Sequence, residues 1–566
     1  MSAPLIECVP NFSEGRNPEV IRQICEAMAS VEGVKVLHTD PGFDTNRTVV
    51  TIAGHPAQVV EAAFRGIQTA AATIDMRKHK GAHPRMGATD VCPLVPLSGI
   101  TMEETAEWAL KLGKRVGEEL GIPVYLYEEA ALVPGRTNLS EIRSGEYEGF
   151  FKKIKQAGWQ PDFGPAEMNA VAGATVIGAR DFLVAYNVNL NTTSVRRANS
   201  IAFDVRERGR VQREGNTLTG KIVKDAQGEP VHIPGSLKSV KAIGWYIPEY
   251  GVAQISMNLT NVRITPVHIA FDEVCRKAEG RGIRVTGSEL VGLIPLNCLL
   301  DAGRYFLEKQ QRSTGVPEKE LIKIAVKSLG LDELGPFDPA KRVIEYQLKD
   351  KEAERLVSMS LSDFADETSS ESPAPGGGSI SAYLGSLAAA LAAMVANLSS
   401  HKRGWDAKWK QFSDVAEEAQ LLKARLNHLV DEDTRAFNQI MAAFGLPKGN
   451  DDEKIARTAA IHEATLHAIA IPFQVMQQAF ATFKPIEQTI REGNPASVSD
   501  AGVAALCAAA AVRGAWLNVC INATSVMEDP IVKQTMTEAN KIKEETAQIE
   551  KTLLEMVEKK IFHSAI

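Results

Sequence analysis

Two histidines four positions apart, His79 and His83, lie in a stretch, residues 79–87, that also holds two cations and two glycines. An imidazole titrates near neutral pH, so either histidine could take up or release a proton during catalysis. The spacing is that of a helical metal pair, but Gly81 and Pro84 disfavour a helix and the glutamate of an HExxH motif is absent. The stretch predicts acid–base chemistry or a solvated loop, and no metal site.

A second stretch, residues 375–379, reads Pro-Gly-Gly-Gly-Ser and opens an alanine-rich run. No Lys-Ser or Lys-Thr follows at the spacing of a phosphate loop and no strand pattern precedes it, so no nucleotide site is predicted. The backbone N–H groups of Gly376, Gly377 and Gly378 could bind an anionic group at a helix start. The same glycines would equally permit close packing of helices.

Three consecutive acidic residues interrupt a helical pattern further on. Asp433 shares a helix face with Val430 and Phe437, which predicts that its carboxyl points inward. Asp431 and Glu432 project about 200° and 100° away from it, so we expect both to be solvated. A wholly solvated, charged helix surface is the alternative.

Asp500 lies at the start of another run of small residues, just after Asn494-Pro495. Ser499 or Asp500 is the expected N-cap of a helix there. An aspartate at this place could also contact substrate.

The predicted secondary structure that positions these groups changes near residue 350. Before it, strand-like and helix-like runs alternate, which predicts two α/β subdomains with mixed sheets. After it, strand patterns nearly vanish and an all-helical domain is expected. The predicted divisions are residues 1–180 and 181–330 for the subdomains, 331–366 for a linker and 367–566 for the helical domain.

The individual runs have the following predicted bounds. Strands are expected at residues 34–37, 48–52, 91–97, 123–126 and 182–188, and helices at 56–72, 102–120 and 192–206. In the helical domain, helices are expected at 379–398, 415–441, 452–480, 496–517 and 530–561. Residues 208–234 are polar and glycine-containing, which indicates an inserted hairpin or mobile loop.

Composition narrows the class of protein. A net charge of -7 and a pI near 6.0 argue against a binder of nucleic acid. The 7 cysteines form no CxxC pair, which suits a reducing, cytoplasmic compartment, and no signal peptide is expected. Residues 372–400 lack charge and are long enough to span a bilayer, but their Ala, Gly and Ser content favours a buried helix.

Three motifs, at residues 7–15, 79–87 and 373–379, resemble those of the formimidoyltransferase-cyclodeaminases, a family of bifunctional folate enzymes of histidine breakdown. The resemblance runs the length of the chain. It implies that His83 is the acid/base of formimidoyl transfer and that Asp433 is the acid/base of cyclodeamination. During transfer onto glutamate, its amino group loses a proton and N5 of tetrahydrofolate gains one, which a group with a pKa near neutrality can perform.

Three further polar residues are candidate ligands of the substrate. Asp40 and Arg47 lie at the ends of two neighbouring predicted strands, where a site could form. Asp40 could orient His83, and Arg47 or Arg85 could pair with a substrate carboxylate. A turn is the alternative, and the favoured, use of Asp40-Pro41-Gly42.

The resemblance places a folate contact on one continuous segment before a Gly-Ala-Thr run. The segment consists of Gly164, Pro165, Ala166, Glu167, Met168, Asn169, Ala170, Val171, Ala172 and Gly173. The family usually has an aromatic residue where this chain has Ala172, so the pterin contact is expected to differ in detail.

The implied substrates are tetrahydrofolate as one-carbon carrier, L-glutamate and N-formimidoyl-L-glutamate, with no metal, nucleotide or membrane span. Rival hypotheses are a formyltransferase/cyclohydrolase variant, or a folate-binding scaffold with one inactive half. A scaffold has no need of both proton-transfer groups. The small-residue helices and the family resemblance predict a homo-oligomer.

Overall fold

The computed structural model describes residues 4–81, 84–215, 219–348 and 356–563. By its internal contacts the chain divides into two units. The first unit comprises Met1–Leu299 and Val326–Asp350, and the second comprises Leu300–Ala325 and Lys351–Ile566. One border therefore lies at residue 350, while a short internal segment groups with the helical part of the chain.

The strands lie in the first unit. They are β1 (Leu5–Cys8), β2 (Asn11–Phe12), β3 (Val34–Gly42), β4 (Arg47–Gly54), β5 (Thr89–Ser98), β6 (Val124–Glu128), β7 (Thr175–Ala179), β8 (Val184–Leu190), β9 (Arg210–Val211), β10 (His232–Ile233), β11 (Val240–Ile247), β12 (Val252–Leu259) and β13 (Val285–Val291).

The helices of residues 4–348 alternate with those strands. They are α1 (Pro18–Ala29), α2 (Pro56–Thr73), α3 (Met102–Leu120), α4 (Leu139–Ile142), α5 (Glu146–Lys153), α6 (Val195–Val205), α7 (Val267–Glu279), α8 (Leu296–Lys309), α9 (Glu318–Leu329), α10 (Pro339–Arg342) and α11 (Ile344–Leu348).

The first sheet has seven strands and mixed pairing. β3 pairs with β4 at one side, β1 and β2 lie between β4 and β5, and β7 and β6 complete the other side. The pairs β5–β7 and β7–β6 are parallel, and the remaining pairs are antiparallel. Helices α1, α2 and α3 pack against it, and their apolar faces bury one core with the sheet.

The second sheet has four strands in the order β11-β12-β8-β13, and all its pairs are antiparallel. Helices α6 and α7 pack on it. The predicted division near Arg180 corresponds to the change of sheet between β7 and β8, and the predicted hairpin of residues 208–234 forms the antiparallel pair β9–β10. The α/β character of this half is confirmed, with the second sheet antiparallel.

The remaining helices lie in the second unit, which also contains the segment Leu300–Ala325. They are α12 (Leu361–Thr368), α13 (Gly377–Ser400), α14 (Trp409–Phe444), α15 (Asp451–Ala481), α16 (Phe483–Glu492), α17 (Val498–Ala523) and α18 (Pro530–His563).

Helix α13 packs against α14 and α17, α15 packs against the same two helices, and α18 packs against α17. Small residues make this possible. An added Cβ at Gly514 of α17 would lie 2.4 Å from the Ser381 Oγ of α13, so the two backbones approach closely there. The predicted all-helical domain is confirmed, although α12, in the predicted linker, and α16 were not predicted.

Two helices, Gly377–Ser400 and Pro495–Ala523, are long and apolar enough to cross a membrane by length and composition alone. In the structure 61% and 44% of their most apolar windows are buried. Buried core helices of soluble proteins have the same composition, so length and hydropathy do not separate the two cases.

Candidate active sites

The histidine loop connects α2 to β5. His83, the predicted acid/base, and its neighbour Ala82 lie outside the described residues. The residues on either side of them are described. His79 Nε2 lies 2.9 Å from the carbonyl oxygen of Asn46, and Asn46 Nδ2 donates to the carbonyl oxygen of Lys80 at 2.9 Å.

The histidine loop therefore packs on the turn between β3 and β4. Gly81 fits there only because it lacks a side chain, since an added Cβ would lie 2.2 Å from the Thr45 carbonyl oxygen. Burial lowers the pKa of His79, which favours its neutral form near pH 7. The histidine loop thus lies beside residues 45–47 in the structure.

Asp40 is not in a turn, so the favoured expectation for Asp40-Pro41-Gly42 is wrong. The residue lies in β3, exposed, and pairs with Val49 of β4. The chain reverses later, where Asn46 adopts a positive φ of 48°. The Asp40 carboxylate remains close enough to Arg47 to act on its charge.

The two candidate arginines have different surroundings. Burial lowers the pKa of Arg47, and the carboxylates of Asp90 and Asp40 oppose that effect. Arg85 is already paired: Nη2 lies 2.7 Å from Glu148 Oε1, and Nη1 lies 2.9 Å from Glu146 Oε2. A substrate carboxylate at Arg85 would have to compete with these two glutamates.

Asp90, which the sequence reasoning missed, fixes the end of the histidine loop. Its Oδ1 accepts the Met86 N–H at 2.9 Å and its Oδ2 accepts Nη2 of Arg143 at 2.6 Å. The side chain is 1% exposed. Burial raises the pKa of the Asp90 carboxyl, and Arg143 and Arg47 act against that rise. A charged residue at the start of an apolar predicted strand was the signal that could have found it.

The predicted folate segment passes beside the same loop. Ala172 O accepts the Ala88 N–H at 2.7 Å, and Met86 O accepts the Ala174 N–H at 3.2 Å. Gly173, at a positive φ of 76°, faces Gly87 so closely that an added Cβ would lie 2.4 Å from Gly87 Cα. The structure thus brings the C-terminal end of this segment to the base of the histidine loop.

The rest of the segment is mostly open to solvent. Asn169 caps it internally, since Oδ1 accepts the N–H groups of Val171 and Ala172. Met168 is buried, and Gly164 has a positive φ of 83° with its Cα against Ile122. The residues left exposed are Gly164, Pro165, Ala166, Glu167, Ala170 and Val171.

Asp433, in α14, lies against the N-terminal end of α13. Its Oδ2 is 3.0 Å from the hydroxyl of Ser379, whose backbone N–H also donates to the carboxylate. Burial raises the pKa of Asp433, and the two hydrogen bonds from Ser379 oppose the rise. A raised pKa makes a carboxyl better suited to act as a general acid.

Gly378 permits this approach. An added Cβ there would lie 2.1 Å from Asp433 Oδ1. Gly377 lies against the Asn518 amide of α17, and Gly376 has open space around it. The structure therefore brings Gly376, Gly377 and Gly378 together with Asp433, and the close-packing interpretation holds at Gly378.

Two expectations about the acidic cluster are wrong. Phe437, predicted to share the buried face, is 37% exposed because α13 begins at Gly377 and does not extend past Asp433. Glu432, predicted to be solvated, is 18% exposed and pairs with Arg435. Val430, at 1% exposure, is buried as expected.

Asp500 does not join the Asp433 site within one chain. Helix α17 begins at Val498 after a short 3₁₀ turn, Pro495–Ser497, so neither Ser499 nor Asp500 is an N-cap and that prediction is wrong. Asn518, which contacts Gly377, lies 18 residues further along the same helix, about 27 Å at 1.5 Å per residue.

No group of three or more His, Cys, Asp or Glu side chains that could hold a metal ion exists among the residues that the structure describes.

Family models match nearly the whole chain. The model described as "Formiminotransferase domain, N-terminal subdomain" matches residues 5–180, "Formiminotransferase domain" matches 185–349, and "Formiminotransferase-cyclodeaminase" matches 360–541. The first two models thus cover the α/β unit together with the internal segment Leu300–Ala325, and the third lies within the helical unit.

Curated proteins match both the whole chain and its parts. Formimidoyltransferase-cyclodeaminase of Rattus norvegicus is 42% identical over 94% of this chain and 94% of its own length. Glutamate formimidoyltransferase of Thermoplasma acidophilum is 43% identical over 57% of this chain and 98% of its own. Methenyltetrahydrofolate cyclohydrolase of Methylorubrum extorquens is 33% identical over 36% of this chain and 97% of its own. The chain belongs to the formimidoyltransferase-cyclodeaminase family.

Proposed function

We propose that this chain is a bifunctional enzyme that transfers the formimidoyl group between N-formimidoyl-L-glutamate and tetrahydrofolate, and then cyclises 5-formimidoyltetrahydrofolate to 5,10-methenyltetrahydrofolate with release of ammonia. The observation that carries the proposal is the match of one chain to bifunctional relatives along 94% of its length. Single-activity proteins that match the two halves separately support the division of labour.

In the transferase half, N5 of tetrahydrofolate attacks the amidine carbon and the glutamate nitrogen leaves. N5 must lose a proton and the leaving nitrogen must gain one, and His83 performs both transfers in turn. Asp40 orients His83, and Arg47 or Arg85 binds a substrate carboxylate, which at Arg85 would compete with Glu146 and Glu148.

Folate contact in this half is assigned to the segment from Gly164 to Gly173. Its support is the hydrogen bond from the Ala88 N–H, at the end of the histidine loop, to the Ala172 carbonyl oxygen. The exposed part of the segment faces solvent and is free to contact a ligand.

In the cyclodeaminase half, N10 attacks the formimidoyl carbon and the amino group leaves as ammonia. Asp433 donates the proton that makes ammonia the leaving group, which is why burial at the α13 N-terminus matters. Gly376 and Gly377 have room for an anionic group of the folate. Asp500, distant from this site within one chain, contacts the substrate of the same reaction only across the interface of the homo-oligomer proposed below.

A cyclohydrolase activity of the helical half is the second candidate. The likeness to a methenyltetrahydrofolate cyclohydrolase over 36% of the chain favours it. The two activities differ in the group expelled, so ammonia release from 5-formimidoyltetrahydrofolate separates them. A formyltransferase variant or a scaffold with one inactive half would be recognised by the same pair of assays.

The test measures glutamate formation and ammonia release separately in three proteins. We expect His83→Ala to abolish transfer and keep ammonia release from supplied 5-formimidoyltetrahydrofolate. We expect Asp433→Asn to do the reverse, and Asp431→Asn to be mild. Each loss should be roughly 10²–10⁴-fold, the usual contribution of a general acid or base. A wild-type chain that lacks either activity would contradict the bifunctional proposal.

We also propose a cytoplasmic homo-oligomer without a membrane span. Large apolar side chains remain exposed on α13 and α17, as on helices that face a second copy. They are Leu387, Met394, Leu398, Val503, Leu506, Leu517 and Ile521. Light scattering that finds only a 61.3 kDa species at micromolar concentration would contradict the oligomer.

A domain division at residues 180, 330 and 366 belongs to the same proposal. The family-model boundaries at 180 and 360 support its outer limits.

A further inference from the structure

The hydroxyl of Ser379, in the first turn of α13, lies between two hydrogen-bond acceptors on α14. Its Oγ is 3.0 Å from Asp433 Oδ2 and 3.0 Å from the Val430 carbonyl oxygen. The Thr434 hydroxyl lies further away, at 3.5 Å. A serine hydroxyl carries a single hydrogen, so it donates to only one of the two acceptors at a time. Two positions of that hydrogen are therefore available without any movement of the heavy atoms.

Burial confines the hydroxyl to these partners. Ser379 is 0% exposed, so bulk water does not reach its side chain, and a buried hydroxyl needs a partner within the protein. Asp433 is only partly buried, so its carboxyl can be reached by a substrate while Oδ2 stays against Ser379. The Ser379 backbone N–H also donates to the carboxylate, which ties the two residues together independently of the hydroxyl.

The two acceptors correspond to the two protonation states of Asp433. An ionised carboxylate only accepts, so the Ser379 hydroxyl donates to Oδ2 in that state. When Oδ2 carries a proton, it can donate that proton to Ser379 Oγ, and the hydroxyl hydrogen then turns to Val430 O. A carbonyl oxygen has two lone pairs, so Val430 O can accept it in addition to its bond within the helix. Every polar group keeps a partner in both states.

A proton donor needs both states in every turnover. When Asp433 gives its proton to the departing amino nitrogen, the carboxyl becomes ionised, and it must regain a proton before the next turnover. A neighbour that could only donate would hold the ionised state and leave the protonated one poorly oriented. A hydroxyl that both donates and accepts holds the carboxyl in the same place throughout.

We infer that Ser379 is a positioning residue for cyclodeamination, whose hydroxyl turns between Asp433 Oδ2 and the Val430 carbonyl oxygen as the carboxyl loses and regains its proton. This inference rests on the cyclodeaminase activity proposed above. Ser379 acts through Asp433 and needs no contact with the substrate.

Few charges act on the Asp433 carboxyl. Burial raises its pKa, the hydroxyl and the N–H of Ser379 lower it, and no charged side chain among the described residues adds to these effects. Helix α13 contains no Asp, Glu, Lys, Arg, His or Cys. The groups of neighbouring turns that are charged or titrate near neutral pH are Asp431, Glu432 and Arg435 of α14, Glu463 and His467 of α15, and Arg513 of α17. The Ser379 hydroxyl is the larger of the two hydrogen-bonding effects, so its removal should be measurable.

The experiment measures kcat and KM of ammonia release from 5-formimidoyltetrahydrofolate as a function of pH, in the full-length wild type and in Ser379→Ala. Because Asp433 acts as a proton donor, kcat falls as pH rises through its pKa. Loss of a donor to the ionised form raises that pKa, so the fall should move upward by about one pH unit in the variant. The maximum kcat should drop about tenfold or more, because the carboxyl is less well held, with KM within about threefold.

Ser386→Ala is the matched control. Ser386 lies two turns further along α13, is 3% exposed, and bonds to Asn427 Oδ1 of α14 at 2.7 Å. The substitution removes a buried hydrogen bond between the same two helices without touching Asp433. We expect it to lower the melting temperature about as much as Ser379→Ala does and to leave kcat and the pH profile unchanged.

Ser379→Cys is the second variant. A thiol is of similar shape and is a weak donor, so kcat and the midpoint of the pH profile should lie between those of the wild type and Ser379→Ala. If Ser379→Ala does not fold, this variant decides the question by itself, since an unshifted profile contradicts the inference and an upward shift supports it.

A Ser379→Ala chain that keeps the wild-type pH profile, even with a lower kcat, would show that the hydroxyl serves packing alone, and the inference would be overturned. A wild type that releases no ammonia at any pH would instead remove the proposed cyclodeaminase function itself. The two failures are therefore distinguishable.

Discussion

Asp433 shows how one side chain acquires the properties of a proton donor. Two effects on the pKa of its carboxyl oppose each other, because burial favours the protonated form and the hydrogen bonds from Ser379 favour the ionised form. Burial is the larger influence, so the pKa is raised. Burial thus raises the pKa of the carboxyl, while the hydrogen bonds from Ser379 fix its orientation.

Asp90 should affect the rate of formimidoyl transfer by positioning the histidine loop, without contacting the substrate. Asp90→Asn removes the charge that holds Arg143 and weakens the hydrogen bond to Met86, so the stem of the histidine loop should shift. Since a displacement of about 1 Å can cost about 10²-fold, we expect a fall of that order in kcat of formimidoyl transfer, with a smaller change in KM.

Two controls accompany the Asp90 variant. Ammonia release from supplied 5-formimidoyltetrahydrofolate reports on the other unit and should stay within twofold of the wild type. Asp75→Asn, at a more exposed pair with Arg77, should leave transfer unchanged. Equal losses of both activities in Asp90→Asn would indicate general unfolding instead of a positioning role.

At the scale of the element, β1 carries a buried glutamate that should make stability depend on pH. Glu7 is 3% exposed, and burial raises its pKa from 4.5 to about 8, with Arg180 acting against the rise. Between pH 4.5 and 8 the folded chain holds a proton that the unfolded chain has lost. Folding stability should therefore fall as pH rises through that window, on the order of 4 kcal/mol in total.

Glu7→Gln should flatten that dependence. Urea unfolding of the two proteins at pH 5 and pH 8 measures it, and the variant should lose less stability between the two values than the wild type does. Parallel pH profiles would mean that Glu7 is not the group that titrates.

Helix α13 can approach Asp433 only through Gly378. Gly378→Ala adds a Cβ where the Asp433 carboxylate lies, so the helix or the carboxylate must move. We expect ammonia release to fall about 10²-fold while formimidoyl transfer is retained. Gly449→Ala, whose added Cβ would meet only the flexible Glu453 side chain at 3.2 Å, is the matched control, and a fully active Gly378→Ala chain would show that the contact is unnecessary.

Sequence patterns predicted most elements because those elements carry local signals. The predicted helix at 102–120 has the observed bounds, since Thr101 and Glu104 form a capping box at its start and Gly121, at a φ of 61°, ends it. Helix α16 was missed because only Thr482 separates it from α15 and Pro485 lies in its first turn. Short helices without a cap signal are hidden in this way.

The candidate sites depend on non-local information that one sequence does not contain. The pairing of Asp90 with Arg143 joins residues 53 positions apart, and no spacing rule connects them. The exposure of Phe437 depends on where another helix begins. Asp433 was nevertheless predicted to point inward, because Val430 marks the buried face of the same helix.

On the scale of the whole molecule, the two halves should be separable. A fragment that ends at Lys349 should fold and keep transferase activity, as the matching Thermoplasma acidophilum transferase covers only 57% of this chain. The measurement is glutamate formation by the purified fragment relative to the full chain. An insoluble or inactive fragment would contradict independent folding.

The helical half should need more than its own C-terminal sequence. Thr314 N–H donates to Ser413 Oγ at 3.0 Å, and Gly315 O accepts from Asn397 Nδ2 at 2.8 Å. We expect a fragment of residues 351–566 to melt about 5 °C below one of residues 300–566 joined through its natural sequence, because about two buried hydrogen bonds are lost. Identical melting temperatures would show that Leu300–Ala325 contributes nothing.

The same internal segment has a consequence for synthesis on the ribosome. Thr314 is made 99 residues before its partner Ser413. At roughly 5–20 residues per second, the segment waits about 5–20 s after emerging before its binding surface exists. During that interval its apolar side chains are exposed, and we expect chaperones to bind them. The order of translation therefore affects how this chain folds, in addition to the final packing.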